Sequence, residues 1–418
     1  MGGTILVVDT NSAGNGTEAM RLAKTMGFRT HFLCRQPSEY DHHEVNPVHV
    51  ADEVSVVETF DPISMLRVVA GRTDYAAVLA FDELRVVQAA LVAQYLGLAH
   101  HPPVSALLRV RYKDQWRQAL EGTRWEVAYS TVGLSAESCP LAYPCVVKPV
   151  DEAAGVGVTM CRDEADFGHA MRRLRAVTGR PNGRGYRLLP LGIVEEVLPG
   201  EEFSAELVWS AAREDWELIG FTTKELFRGR FPVEVGHVFP HRFEPSFAEH
   251  ILAELRACLH TIGLRHTLVH AEFRVHQGKV FLIEINPRPA GNRIHDLVGY
   301  VLGIGLVDLH LAAHLGEADA LLRQARPHGC AGIRFLLPER AGTVSRIDVT
   351  AEDDDPMVDV RVASTPRTVG AELSNESYLG HVLAKGWDRD DVDRVLSRHI
   401  TRIRPRYMDA VTTASPGA

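Results

Sequence analysis

Short apolar runs alternate with helical patterns at the start of the chain. Thr4 to Val8, Thr30 to Cys34 and Ala76 to Ala80 are strand-like, and Thr17 to Met26 has the spacing of a helix. Strands that alternate with helices are typical of an open parallel sheet built from βα units. The pattern therefore predicts an α/β domain at the N-terminus.

Antiparallel patterns dominate the middle of the chain. The pattern predicts a β-hairpin around a glycine loop, formed by Pro144 to Pro149 and Val156 to Cys161, and then a helix at Asp163 to Val177. Two further strands follow at Ile193 to Val197 and Phe203 to Trp209, and a second hairpin spans Leu268 to Asn286. The remaining segment, from Ala331 on, mixes short strands, an acidic loop at Glu352 to Asp355 and a late amphipathic helix. The chain therefore divides into more than one domain.

The second hairpin carries polar side chains at alternate positions. His270, Glu272 and Arg274 share one face of its first strand, and Glu284 and Asn286 share one face of its second. A three-residue loop (277–279) would place Glu272 directly opposite Glu284, whereas a two-residue loop would put them on opposite faces. We expect the three-residue loop.

Two carboxylates at a cross-strand position lie only about 5 Å apart, which is repulsive unless a cation or a shared proton separates them. Asn286 adds a neutral oxygen on the same face as Glu284. An all-oxygen set suits Mg²⁺ or Mn²⁺ better than zinc. The alternative is a solvated polar face of an antiparallel sheet.

Two further patterns lie upstream. Lys148 ends a strand just before the small-residue loop Asp151 to Gly157, where backbone N–H groups and one point charge could cover phosphates. Glu195 to Phe203 gives two strands joined by a turn with four acids. The alternatives are a lysine that merely flanks a strand and an acidic surface hairpin.

Composition limits the classes of protein. The 418 residues include 45 Lys and Arg against 54 Asp and Glu, a net charge of −9, so no overall field attracts nucleic acid or anionic lipid. The six cysteines lack the spacing of a zinc site. The longest uncharged segment, Val86 to Leu108, is interrupted by polar residues and prolines, so we expect no membrane span. With no secretion signal recognisable, we expect a cytoplasmic protein.

Gly14-x-Gly16-x-x-Ala19 follows the first strand and opens a helix, the context that a dinucleotide-binding fingerprint requires. The second strand, however, ends in Cys34-Arg35 without an acidic residue for a ribose hydroxyl. A tight turn into a helix is the favoured interpretation. An NAD-dependent oxidoreductase is the weakest of the alternatives.

Taken in order, these pieces resemble the ATP-grasp superfamily, from Lys113 in Arg111-Tyr112-Lys113-Asp114 to Arg293. The most specific element is His270-x-Glu272 followed by Ile283-Glu284-Ile285-Asn286-Pro287-Arg288. The resemblance implies an α/β (α+β) ATP-grasp fold with three domains: a Rossmann-like domain (1–108), a two-lobed ATP-grasp domain (109–325) whose nucleotide-covering lobe spans about 116–190, and a mixed α/β lid domain (326–418).

The resemblance also implies which residues bind the nucleotide. Lys113 and Lys148 would contact the ATP phosphates, and the loop of Gly155, Val156 and Gly157 would fold over them. The strand formed by Glu195, Glu196, Val197 and Leu198 would bind adenine through backbone atoms, and Glu202 would hold the ribose. The family often has a serine where this chain has Ala154 or Gly155, so only backbone contacts to phosphate are expected there.

At the other end of the site, Glu272, Glu284 and Asn286 would ligate two Mg²⁺ ions, with Mn²⁺ as the alternative metal. Arg288 would face the reacting carboxylate and the later oxyanion, helped by Arg293 or His237.

Asn286-Pro287-Arg288 and Glu234-Val235-Gly236-His237 resemble the amino acid ligases that make dipeptides. His237 and Asn292 would then line the substrate pocket. This resemblance implies an ADP-forming ligase that joins an amino acid carboxylate to an amine through an acylphosphate.

Two other functions remain open: an ATP-dependent carboxylase-like enzyme that activates bicarbonate, and a non-catalytic nucleotide-binding protein. A homodimer is expected from the family alone. A carrier protein as acyl or amine acceptor is also left open, although the arginines between Arg172 and Arg187 are better explained as a solvated helix face.

Overall fold

The computed structural model describes residues 2–227, 229, 231, 233–350 and 357–408. Its N-terminal strands are β1 (Thr4–Val8), β2 (Arg29–Cys34), β3 (Glu53–Val56) and β4 (Tyr75–Ala80). They form a parallel sheet in the order β3-β2-β1-β4. The predicted parallel βα arrangement is therefore confirmed.

Six helices accompany this sheet and lead out of it: α1 (Asn15–Thr25), α2 (Pro47–Val50), α3 (Pro62–Val69), α4 (Val86–Tyr95), α5 (Val104–Arg111) and α6 (Lys113–Ala119), with a 3-10 turn at Pro37–Tyr40. Gly14 precedes α1 with φ 80°, which glycine adopts without steric cost. A Cβ on Gly16 would lie 2.8 Å from the Thr10 side chain. The two glycines thus form the tight turn favoured from the sequence.

A second sheet forms a lobe of its own. Its strands are β5 (Tyr129–Gly133), β6 (Cys145–Pro149), β7 (Thr159–Cys161) and β8 (Leu191–Glu196), in the antiparallel order β5-β8-β6-β7. Helix α7 (Glu164–Val177) packs Phe167, Met171 and Leu174 against it. Asp163 caps this helix by accepting a hydrogen bond from the Asp166 N–H. From here on, the lid means this lobe (residues 129–196), and the segment from residue 326 on is called the C-terminal segment.

The largest sheet has eight antiparallel strands in the order β13-β12-β9-β10-β11-β14-β18-β16. These are β9 (Glu201–Ser210), β10 (Asp215–Phe227), β11 (Val233–His241), β12 (Leu268–His276), β13 (Lys279–Asn286), β14 (Cys330–Leu336), β16 (Val358–Val362) and β18 (Gly380–Gly386). Helix α8 (Pro245–Ile262) covers one face, where Leu255 packs near Leu207. Helices α9 (Ile294–Leu302), α10 (Leu306–Leu315) and α11 (Ala318–Leu322) lie on the other, near Val208.

A three-stranded sheet completes the C-terminal part, with strands β15 (Gly342–Val349), β17 (Arg367–Val369) and β19 (Ile403–Tyr407) in the order β17-β15-β19, next to helix α12 (Arg389–Ile400). Strand β14 pairs with β11. The central sheet therefore continues across the boundary expected at residues 325 and 326. The acidic loop Glu352 to Asp355 lies outside the described residues.

Within the described residues, no single helix has the length and apolar character needed to cross a bilayer. Helices α9 and α10 meet those criteria only as a pair, and they are bent by 86° relative to each other.

Four histidines lie near one another around α10: His310 and His314 are buried, and His100 and His266 are half-buried. The rings of His310 and His314 lie 4.5 Å apart, and those of His100 and His266 lie 5.4 Å apart. Burial lowers the pKa of His266 and of His314 to about 4, with the neighbouring histidines adding to the effect at His266. The imidazoles of His266 and His314 are therefore neutral in the folded protein at neutral pH.

We expect the free energy of unfolding to fall as the pH drops from 6.5 to 5. The unfolded histidines take up protons near pH 6.5, whereas the folded ones resist until about pH 4, so their contribution is complete above 6.5 and is lost below it. For His314 the loss by pH 5 is about 2 kcal/mol. Urea unfolding across this range measures it. His314→Leu should flatten the dependence, and the exposed His328→Leu should not; equal slopes in all three proteins would contradict this explanation.

Candidate active site

A cleft of about 320 Å³ lies between the lid, the central sheet and the N-terminal domain. It brings together most of the residues that the sequence singled out: Lys113, Lys148, Gly155, Val156, Glu195, Glu196, Val197, Leu198, Glu202, Glu272, Glu284, Asn286, Arg288 and Asn292. Sequence positions almost 180 residues apart therefore share one cavity.

The hairpin of β12 and β13 places Glu272 directly opposite Glu284, as expected, but by a different route. His276 pairs with Lys279, so the turn has two residues, and the expected three-residue loop is wrong. Gln277 and Gly278 both have positive φ, the geometry of a tight type I′ turn, and Gly278 adopts it readily.

A β-bulge restores the register that the shorter turn would have lost. Phe273 pairs with Leu282 and Glu272 with Glu284, so Ile283 is the extra residue on β13. The Trp116 indole N–H donates to the Ile283 carbonyl at 3.0 Å. The bulge, held from α6, thus turns Glu284 onto the same face as Glu272.

Arg117 joins this bulge to the lid. Its guanidinium donates to the carbonyls of Leu282 and Ile283 at 3.1 and 3.3 Å, and it forms a bidentate pair with Glu195 at 2.9 and 3.2 Å. Lys148 reaches the same carboxylate at 2.6 Å. Burial alone would raise the pKa of Glu195, but Arg117 and Lys148 outweigh it and lower that pKa to about 2. The ionised Glu195 carboxylate therefore holds the Lys148 ammonium group in place.

The loop after Lys148 has backbone geometry suited to an anion. Ala154, Gly155 and Gly157 all have positive φ, and a Cβ on Gly157 would lie 2.7 Å from Pro149. Lys113 lies beside the loop, donating to the Glu152 carbonyl at 2.7 Å, with its ammonium 3.6 Å from the Glu284 carboxylate. Lys113, Lys148 and this loop thus line the same cleft.

Lys224 is a buried member of the site that the sequence analysis missed. Its ammonium lies 2.8 Å from Glu234, 2.9 Å from Glu272 and 3.3 Å from Glu202. Burial would lower the pKa of Lys224, but these carboxylates raise it well above its usual value. No pattern set Lys224 apart, because its partners come from three other strands. Glu234 was noted only as part of a motif.

His270 clamps Glu272 from the other side. Its Nδ1 lies 2.8 Å from the fully buried Glu206, and its Nε2 lies 3.1 Å from Glu272. Burial would lower the pKa of His270, but the two carboxylates raise it to about 9. The imidazolium therefore fixes the orientation of the Glu272 carboxylate.

The chemistry of Glu272, Glu284 and Asn286 fits Mg²⁺. Asn286 donates to Glu284 at 3.1 Å, so its carboxamide lies beside the facing carboxylates. In the described part of the chain, no three His, Cys, Asp or Glu side chains are arranged to hold a metal ion on their own. Mg²⁺ usually binds through one or two carboxylates plus substrate phosphates, so a complete protein cage is not required.

The four residues predicted to act on the substrate each contact a different carboxylate or share one, and only two of them, Arg288 and Asn292, line the cleft. The Arg288 guanidinium pairs with Glu83 of the N-terminal domain at 2.7 Å, and Asn292 contacts Glu234. His237 is fully buried, 3.1 Å from Glu234. Arg293 pairs with Asp296 at 2.9 Å. Neither His237 nor Arg293 is among the described residues that line the cleft.

Comparisons with known proteins agree with this geometry. Residues 141–296 match the ATP-grasp domain, and residues 334–408 match the L-amino acid ligase C-terminal domain 2. An L-amino acid ligase from Bacillus licheniformis superimposes with a TM-score of 0.77 over 97% of this chain and 99% of its own, at 18% identity.

Two sequence relatives extend the comparison. An uncharacterised protein of Sinorhizobium fredii is 25% identical over 95% of this chain and 82% of its own length. Carnosine synthase 1 of Gallus gallus is 27% identical over 76% of this chain, which spans only 36% of that enzyme.

The fold and the cleft together are those of an ATP-grasp enzyme, with the lid and the facing carboxylates bordering one cleft. The chain thus combines a segment that matches the ATP-grasp domain with one that matches the L-amino acid ligase C-terminal domain 2.

Proposed function

We propose that this ADP-forming ligase joins the carboxylate of an amino acid to an amine through an acylphosphate, with release of ADP and phosphate. One arrangement supports the proposal most strongly. One cleft is lined by Lys113, Lys148 and the loop at Gly155, by the facing pair Glu272 and Glu284, and by Arg288. A nucleotide and a carboxylate could therefore meet over the carboxylate pair.

The first step brings two anions together, so positive charge has to be in place before phosphoryl transfer. Lys113 and Lys148 would hold the ATP phosphates, and the loop at Gly155 and Gly157 would donate backbone N–H groups. Arg288 would hold the substrate carboxylate in line with the γ-phosphate. The carboxylate oxygen attacks phosphorus, the bond to ADP breaks, and an acylphosphate forms.

Mg²⁺ supplies charge neutralisation at the phosphates when it is bound. Glu272, Glu284 and Asn286 would hold it. We propose two ions, with Mn²⁺ as a substitute, because the two carboxylates face each other across the strands and both point into the cleft.

The remaining nucleotide contacts follow the lining of the cleft. Glu196, Val197 and Leu198 would meet adenine through their backbone groups. Glu202 would reach the ribose, although its carboxylate is also paired with Arg274 at 3.1 Å.

The second step needs an amine nucleophile and a stabilised oxyanion. The amine attacks the acyl carbon, phosphate leaves, and the tetrahedral oxyanion would be met by Arg288. Asn292 would line the substrate end of the cleft. His237 and Arg293 would act through their neighbours Glu234 and Asp296, because neither side chain lines the cleft.

We place the enzyme in the cytoplasm, because all six cysteines are free thiols, which suits a reducing compartment. A homodimer and a carrier-bound substrate remain proposals. Size-exclusion chromatography with light scattering tests the first, and a carrier protein charged with an amino acid tests the second.

A phosphate-release screen with Mg-ATP across pairs of amino acids tests the proposed function, followed by mass spectrometry of any product. We expect release that requires an amino acid and yields a product joined by an amide bond, with loss of one water per bond. Bicarbonate is tested in parallel. Release that depends strictly on bicarbonate and ignores amino acids would establish a carboxylase-like enzyme instead.

A further inference from the structure

The loop between β17 and β18 reaches from the C-terminal segment into the cleft. Asn375, near the middle of this loop, lines the cleft together with Glu234 and Ala154. It follows Arg288 by more than 80 positions and lies outside the span matched by the ATP-grasp domain. We call residues 372–378 the C-terminal loop.

The C-terminal loop holds both backbone groups of Glu234. The Asn375 side-chain Oδ1 accepts a hydrogen bond from the Glu234 N–H at 3.1 Å, and the Tyr378 hydroxyl donates to the Glu234 carbonyl at 2.9 Å. Tyr378 is itself fixed, because its ring stacks on Phe335 with centroids 4.1 Å apart. The loop therefore helps to fix the position of Glu234, which also pairs with Leu226 of β10.

The same loop holds the lid. The Asn375 N–H donates to the carbonyl of Ala154 at 3.3 Å, one residue before Gly155 in the phosphate-covering loop. A single residue of the C-terminal segment thus bonds the proposed nucleotide loop through its backbone and β11 through its side chain.

A second contact joins the C-terminal loop to helix α7 of the lid. Arg173 pairs with Glu372 at 2.9 Å, donates to the Leu373 carbonyl at 3.5 Å, and stacks over the Phe231 ring at 4.5 Å. The Arg173 side chain is only 6% exposed, so this contact is desolvated on the arginine side. One member of the arginine run is therefore buried against the loop and is not part of a solvated helix face.

Glu234 lies between the predicted metal-binding carboxylate Glu272 and the residues predicted for the substrate pocket. Its carboxylate contacts Lys224 at 2.8 Å on the side of Glu272, and it contacts His237 and Asn292 on the substrate side. A shift of its backbone would therefore disturb both groups of side chains together.

We propose that Asn375 is a positioning residue that sets Glu234 only when the lid is closed. The proposal rests on the proposed function, since the closed lid covers the nucleotide there. When the lid lifts, the Asn375–Ala154 hydrogen bond and the Arg173–Glu372 pair break, and the C-terminal loop loses its support. Glu234 then loses the Asn375 side chain as a fixed partner of its N–H group. Its carboxylate is therefore correctly placed only while the closed lid keeps water out of the cleft.

Hydrogen–deuterium exchange of the full chain tests this directly, because the Glu234 N–H is the group that Asn375 accepts from. In the ligand-free protein, Asn375→Ala should speed exchange of the Glu234 amide about tenfold, the loss of roughly one hydrogen bond. The amides of residues 153–157 should speed up with it. Asn375→Asp keeps an acceptor oxygen and should restore slow exchange at Glu234.

A neighbour in the same loop provides the matched control. The Glu376 side chain is exposed and its ion pair with Arg184 spans 3.7 Å, while its hydrogen bonds with Arg367 and Ser374 use its backbone, so Glu376→Gln should leave exchange at Glu234 unchanged. Glu372→Gln weakens the contact with Arg173 and should speed exchange in residues 153–157 and at Glu234 together, although Glu372 touches neither.

Two results would overturn the proposal. One is wild-type exchange at Glu234 in Asn375→Ala with urea stability unchanged; the other is failure of Asn375→Asp to restore it. MgADP binding by calorimetry is measured separately on the wild-type chain. Absence of that binding would remove the proposed nucleotide site, while the exchange results in the ligand-free chain would still decide whether Asn375 links the lid to Glu234.

Discussion

Replacing Glu284 by alanine is expected to abolish ADP formation, a loss on the order of 10³-fold or more, while the protein stays folded. Glu284 faces Glu272 across the hairpin and is the nearest carboxylate to Lys113, at 3.6 Å. Its side chain is 28% exposed, and Lys113, which would lose this carboxylate, still donates to the Glu152 carbonyl, so the fold should tolerate the change. ADP formation with Mg-ATP and an amino acid mixture measures the effect.

A carboxylate elsewhere in the same sheet serves as the control for Glu284→Ala. Glu201 is exposed at the start of β9, and Glu201→Ala should retain wild-type turnover. Calorimetric titration of each protein with Mg-ATP at increasing Mg²⁺ provides a readout independent of turnover, and only Glu284→Ala should need more Mg²⁺. Wild-type turnover in Glu284→Ala would exclude the carboxylate pair as the metal site.

Arg117→Met should lower the free energy of unfolding by about 3–5 kcal/mol. The guanidinium is fully buried and serves three acceptors: the Glu195 carboxylate and the carbonyls of Leu282 and Ile283. Removing it leaves a buried carboxylate with Lys148 as its remaining cation and frees the bulge. Urea unfolding monitored by circular dichroism measures the loss.

Removing the charge of the partner separates electrostatics from packing in Arg117→Met. The double variant Arg117→Met with Glu195→Gln should recover part of the lost stability, because the buried carboxylate that has lost its bidentate partner is then uncharged, while Lys148 loses its ion pair. Arg124 offers the matched control: it pairs with Glu254 at 2.8 Å but is 58% exposed, so Arg124→Met should cost about 1 kcal/mol or less. Equal losses in both arginine variants would contradict the role assigned to Arg117.

The sequence predicted the facing carboxylates correctly for a reason that was partly wrong. Alternation placed Glu272 and Glu284 on definite faces of their strands, but the register depended on a loop length that cannot be read from the pattern. Trp116 and Arg117, more than 160 positions earlier, both donate to the Ile283 carbonyl and so stabilise the bulge. Local patterns show faces, whereas long-range contacts decide how faces are paired.

The same distinction explains the residues that were missed. Lys224 lies on a strand that the sequence analysis did not assign, and only the order of strands in the sheet brings Glu202, Glu234 and Glu272 around it. Asn375 belongs to a loop without any motif. A single sequence holds no record of such contacts, because they arise when separate segments pack together.

The pairing of β14 with β11 also has a consequence for dividing the protein. A fragment ending near residue 325 would keep the lid and the facing carboxylates, but β11 would lose its neighbour and expose unpaired backbone groups along Gly236 to Phe239. An open edge of this kind recruits other strands, and a truncated chain should therefore self-associate. A chimera of two such proteins should therefore take the C-terminal segment and β11 from the same parent, because β14 and β11 pair along this edge.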